Sequence, residues 1–107
     1  MQEASSEQNG RVHKINLVQM DNAVLALCYE GTMKMGTLAI STPGLRDGAV
    51  GTSSVLLGGK YLIAARALAE RSAAIFNKMS LVSLNTTLAE GEALRLFSSL
   101  LDKVRNK

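Results

Sequence analysis

The hydrophobic period of this chain first changes at Gly58-Gly59-Lys60, and that change limits the fold more than any other feature. Ahead of it every candidate element is a strand; behind it come a helix, a strand and a second helix. From Val12 to Val18, polar and apolar residues intermix with a partial period of two. Ile15 and Leu17 then share one face with His13 beside them at the sheet edge, the pattern of a half-buried strand. Asp21-Asn22 is a turn pair, because short Asx side chains bond to nearby backbone and tolerate positive φ. Ala23 to Tyr29 is a nearly continuous apolar run, too short for a typical helix and bounded by turn residues, which predicts a central strand. Glu30-Gly31 reverses the chain again. Met33 to Ile40 supplies a third strand in which Gly36 marks a bulge or a close backbone approach. These three strands read as a meander. Ser41 to Gly51 holds the only proline and forms a long exposed connection, after which Ser54 to Leu57 resumes the strand pattern.

Past Lys60 the apolar residues Leu62, Ala65, Leu68, Ala69, Ile75 and Phe76 recur at helical spacing with Ser72 among them, while Arg66, Glu70 and Arg71 fall off that stripe. Asn77-Lys78 ends the helix, and Met79 to Leu84 begins another strand. Thr87-Leu88-Ala89-Glu90 fits a capping box at the start of a last helix. Its apolar face is Leu94, Phe97, Leu101 and Val104, flanked by Ala93 and Leu100.

The expected architecture is α+β: an antiparallel sheet with element order β-β-β-β-α-β-α and two helices on one face. Apolar residues occupy both alternations of Ala23 to Tyr29, so the opposite face also needs a cover. A second subunit is the simplest one, making that face a dimerisation surface. Residues 1–10 are polar, lack aromatic and β-branched side chains, and read as a disordered N-terminal tail. Residues 11–107 read as a single domain.

Candidate chemistry is sparse. Of 107 residues 47% are hydrophobic, enough for one core, and the net charge of +3 arises from 12 Lys and Arg against 9 Asp and Glu. That is a mixed surface, and with 4% aromatic residues and no Trp it argues against nucleic acid. No apolar run approaches the roughly 20 residues that cross a bilayer, and no basic segment with an apolar run opens the chain, so the expectation is a soluble intracellular protein without a membrane partner. Cys28 lies among apolar neighbours and reads as a buried structural thiol. His13 is the sole histidine, which leaves neither a Ser-His-acid triad nor a histidine-based zinc site. Gly58-Gly59-Lys60 lacks the earlier glycine and the following Ser or Thr of a phosphate loop. Glu90 and Glu92 are explained by the positive end of a helix dipole. No catalytic residue, cofactor or metal is therefore expected. Arg46 and Asp47, charged residues on a glycine-rich loop, are credible partner contacts.

The runs Thr42-Pro43-Gly44-Leu45-Arg46 and Lys34-Met35-Gly36-Thr37-Leu38, with Val55 to Gly58, Leu68-Ala69, Arg71, Asn77-Lys78 and Leu84-Asn85, resemble the small eukaryotic proteasome assembly chaperones. The first run is similar to chaperone four and the second to chaperone three; chaperone four is preferred. The resemblance covers nearly all of the chain after Gly10. It implies a non-catalytic protein that pairs through its sheet with a paralogous chaperone, or with a second copy of itself, and assists formation of the 20S proteasome α-ring by binding an α subunit. It implies a cytoplasmic location, with the nucleus also open. Thr42, Pro43, Leu45 and Arg46 match the loop after the third strand in chaperone four, and with Asp47 they are the candidate partner-binding residues. The alternative is a small-ligand-binding or enzymatic α+β domain whose site is completed at a dimer interface, with His13, Arg46 and Asp47 as its polar candidates.

Overall fold

Asn9 and Gly10 both take left-handed backbone, with φ of 55° and 75°, and fold strand β1 (Gln2–Gln8) directly onto strand β2 (Arg11–Gln19). Two positive-φ residues between paired strands match the twist of a tight hairpin. The structure is a computed structural model and describes residues 1–44 and 52–106. After β2 come β3 (Ala23–Glu30), β4 (Thr37–Ser41), β5 (Ser53–Leu57), helix α1 (Leu62–Phe76), β6 (Met79–Asn85) and helix α2 (Glu90–Arg105).

The N-terminal segment is thus a strand and not the disordered tail that its composition suggests. All of β1 is in register with β2, from Gln2 opposite Leu17 to Gln8 opposite Arg11, so the ladder supplies what apolar burial does not. Its side chains are also tied down. Ala4 is buried, Gln2 Nε2 donates to the Val104 carbonyl at 3.3 Å, and Lys14 Nζ meets Glu3 Oε1 at 3.4 Å.

The six strands form one sheet in the order β1-β2-β3-β6-β4-β5. It is mixed, which corrects the antiparallel expectation: β3 and β6 run parallel, from Ala23 opposite Met79 to Tyr29 opposite Asn85. The meander is correspondingly β1-β2-β3, because β6 inserts between β3 and β4. A parallel neighbour requires a crossover, and α1 provides it between β5 and β6. Gly36 allows β4 to enter beside β6: a Cβ there would lie 2.1 Å from the Leu84 carbonyl oxygen. The close approach read from the sequence is therefore real, while the register shift lies on the other edge of β4, between Leu38 and Ala39 in its pairing with β5.

Both helices lie on one face. Ile15, Leu17, Val24, Ala26, Cys28, Ala39, Val82 and Leu84 from the strands join Ala64, Ala65, Leu68 and Ala69 of α1 and Ala93, Phe97, Leu100, Leu101 and Val104 of α2 in a single core. The alanines of α1 bring its backbone close to the sheet, and Phe97 of α2 fills the largest volume. Arg71 Nη2 donates to both carboxylate oxygens of Asp102 at 2.8 Å, joining the two helices at the surface. Burial pushes the Cys28 thiol pKa upward, so the group is an inert apolar filler. Extents of 41 × 31 × 20 Å fit two layers, one sheet and one helical layer.

Candidate partner interface

Strand residues alternate between faces, so the registers that place Ile15, Ala26 and Val82 under the helices place their neighbours on the other side. Across that side runs the row Val18, Leu25, Leu81, Ile40, each residue paired with the next. A parallel row carries Leu27, Ser83, Leu38 and Leu57. Val18, Leu25, Leu27, Leu38, Ile40 and Leu81 are all only half-buried, because both helices lie on the other side of the sheet. Polar groups on the same face are largely satisfied within it. Tyr29 Oη donates to Asn16 Oδ1, and Gly36 N donates to Ser83 Oγ at 2.9 Å. The result is an apolar centre on a rigid sheet with a polar flank at β1, where Glu3 and Lys14 pair. Such a surface can bind another apolar surface.

The residues singled out in the sequence are distributed differently. Thr42 and Pro43 follow β4 at its far end. There Thr42 N donates to the Thr52 carbonyl at 3.0 Å and the two threonine hydroxyls meet at 3.2 Å, closing the base of the β4–β5 connection. Leu45, Arg46 and Asp47 lie outside the described residues. His13 is not at the sheet edge: β2 is the second strand, and the imidazole is fully buried, edge-on to the Phe97 ring with centroids 5.9 Å apart. Its Nε2 is 3.1 Å from Glu30 Oε1.

Glu30 is the hub of a dense polar network. Its carboxylate accepts from Thr87 N at 3.1 Å, Thr87 Oγ1 at 2.9 Å, Thr86 Oγ1 at 3.0 Å and Arg11 Nη1 at 3.2 Å, besides His13. The backbone amide of Thr87, with these hydroxyls and His13, lowers its pKa to about 2. Charge and geometry here are spent on joining β2 and β3 to the β6–α2 loop. Thr87 therefore serves Glu30 and does not form the expected capping box: α2 begins without a side-chain cap at Ala89. Glu90 reaches instead to α1, where Oε2 accepts from Ile63 N at 2.8 Å and Ala64 N at 2.9 Å. Tyr61 Oη lies 2.7 Å from both the Thr86 and Leu88 carbonyls; burial, then Glu30 and Glu90, push its pKa up.

Among the described residues no group of three or more His, Cys, Asp and Glu could hold a metal ion, and no helix is long and apolar enough to cross a membrane. Of the polar candidates for a ligand site, His13 is buried against Glu30 and Phe97, and Arg46 and Asp47 lie outside the described residues.

No family model and no curated protein matches the sequence. Among solved structures the fold is similar to a chain of a chaperone complex for yeast 20S proteasome assembly. The TM-score is 0.70 over 97% of each chain, at 11% identity. At that identity the likeness shows the fold. It is in keeping with the general resemblance read from the sequence and does not separate chaperone three from chaperone four.

Proposed function

We propose that this chain is a non-catalytic assembly chaperone that pairs with a second chaperone of the same fold through its open sheet face and helps assemble the 20S proteasome α-ring. One observation carries the reading: a six-stranded sheet with both helices on one side leaves the apolar row Val18, Leu25, Leu81, Ile40 uncovered on the other. The structural likeness to a member of a proteasome-assembly complex supports it. The partner is a paralogous chaperone, chaperone four being the preferred identity for this chain and chaperone three the alternative, or a second copy where no paralogue is present. The pair holds an α subunit by surface complementarity and biases its neighbours toward the correct ring order. It leaves when later subunits compete for the same surface. Preference for the intermediate over the finished ring is sufficient, since a ligand shifts an equilibrium only by its differential affinity for the two states.

Mass measurement by size-exclusion chromatography with light scattering, with and without the candidate paralogue, tests the pairing. The expected result is a two-chain complex that Leu81→Lys abolishes. A monomer under both conditions, or a complex that Leu81→Lys leaves intact, contradicts the assigned face. Purification from cells with bound proteins tests the role, and recovery without any proteasome α subunit counts against it.

A further inference from the structure

The large apolar side chains that remain exposed are concentrated at one end of the molecule. Among the described residues only Met1 and Met20 lie at the other end, beside the β1 start and the β2–β3 turn. The concentration sits where β3, β5 and β6 end and where β4 and α1 begin. Met33 and Met35 stand on the β3–β4 connection, Leu57 ends β5, and Ile63 opens α1; Leu57 is 67% and Ile63 71% exposed.

Hydrogen bonds hold these pieces in fixed relation. Asn85 Nδ2 donates to the Met35 carbonyl at 3.1 Å, Thr37 Oγ1 donates to the Lys60 carbonyl, and Tyr61 Oη meets the Thr86 carbonyl. Between them opens a cleft of about 300 Å³, lined in part by Gly36, Lys60, Asn85 and Thr86.

The charges around this cleft are unequal in availability. Glu90 is engaged by two amides of α1, and Glu30 by Arg11, His13, Thr86 and Thr87. Glu92 Oε2 accepts from Gln8 Nε2 at 3.5 Å, and Glu7 lies on β1, three places from β6 in the sheet. Lys34, between Met33 and Met35, and Lys60, at the cleft, are exposed and have no ion-pair partner among the described residues.

We infer that this end is a second docking surface, separate from the open sheet face, whose occupant is an apolar protein segment carrying Asp or Glu. The apolar side chains of that segment cover Met33, Met35, Leu57 and Ile63, while its carboxylates reach Lys34 and Lys60. The defined cleft favours a protein segment over an anionic membrane, because two lysines are worth only about 1 kcal/mol each at a lipid surface and a membrane has no side chain to seat. Loops at strand ends on a rigid sheet are ordinary places for recognition. This inference does not rest on pairing through the sheet.

A displayed library of random twelve-residue peptides, selected on the intact chain, tests it. Selected peptides are expected to combine apolar residues with Asp or Glu and to bind more weakly as salt rises. They should lose at least tenfold in affinity to the Lys34→Glu/Lys60→Glu variant and to Ile63→Ser, and bind Leu81→Lys as they bind the unaltered chain. Circular dichroism checks that the exposed-site variants keep the fold. Peptides without acidic bias, equal binding to the charge-reversed variant, failure to select any peptide, or binding only to vesicles of phosphatidylserine and phosphatidylcholine would each overturn the inference.

Discussion

The two faces of this sheet are built from the same strands and from nearly equally apolar residues, yet they do different things. On the helical side Ile15, Leu17, Ala26 and Val82 are closed off almost completely; on the other, Leu25, Leu81 and Ile40 are half-open. Apolar character thus does not identify the core here. Cover does. Burying a side chain such as Leu or Phe contributes roughly 1.5–3 kcal/mol. The helical side draws that stabilisation from within the chain, and on the open side part of it is not drawn.

The sharpest break of this contrast is Phe97→Asp. Phe97 is wholly enclosed and edge-on to His13, and Phe→Ala alone in a core costs about 3–5 kcal/mol. A carboxylate there adds an unpaired buried charge. Against a stability of about 5–15 kcal/mol for such a domain, insoluble or unfolded protein is the expected outcome. A soluble variant with an unchanged melting temperature would show that this face is not the core.

Next in size is Glu30→Gln, which tests the polar end of the covered side. Losing hydrogen bonds to a charged acceptor is expected to cost about 1–3 kcal/mol near neutral pH, read by urea unfolding. The pH dependence has a definite sign. A carboxylate whose folded pKa is depressed, here to about 2, contributes stability above its unfolded value of about 4.3 and loses it as pH falls toward 2. The gap between the unaltered chain and Glu30→Gln should therefore be largest above about pH 5 and shrink through acid. A constant gap down to pH 2 would mean that the network is not charge-dependent.

Smaller again is Gly10→Val. It places a β-branched residue at φ 75° in the β1–β2 turn, at a cost of roughly 1–2 kcal/mol. A melting temperature within a degree of the unaltered chain would imply that β1 contributes little to the covered side.

That hairpin also shows what sequence reasoning could and could not reach. Asn9-Gly10 is the turn pair that favours a two-residue hairpin, so the signal for β1 was present. Composition masked it, because Gln, Glu and Ser argue for a solvated tail when the backbone ladder is left out. The period change at Gly58–Lys60 and the stripe of α2 were legible because each reflects a one-sided burial: Phe97, Leu101 and Val104 point to the sheet. Insertion of β6 beside β3 was not legible, since strand order depends on crossover geometry and on Gly36 admitting β4 against Leu84, which no local pattern encodes. For the open face, the doubled apolar pattern at Leu25 and Leu27 pointed to a need for cover, but its extension to Leu38, Ile40 and Leu81 required the registers. The loop contacts at Leu45, Arg46 and Asp47 rest on sequence alone.

The smallest expected effect on the chain itself is the one that most sharpens the contrast. Leu81 lies at the centre of the open row, between Leu25 and Ile40, and is half-buried without any helix above it. A lysine there can lay its alkyl stem along Leu25 and Ile40 while its ammonium stays in water, so the unpaired chain should lose no more than about 1 kcal/mol. In a complex the same ammonium would be enclosed between two apolar sheets, and its desolvation would act entirely against association. Measured at concentrations where the chain is monomeric, Leu81→Lys should melt within a few degrees of the unaltered protein. The rise in melting temperature that a folded-state partner produces by mass action should disappear. A large loss of stability in the dilute monomer would place Leu81 in the core after all, and the two faces would then differ in degree only.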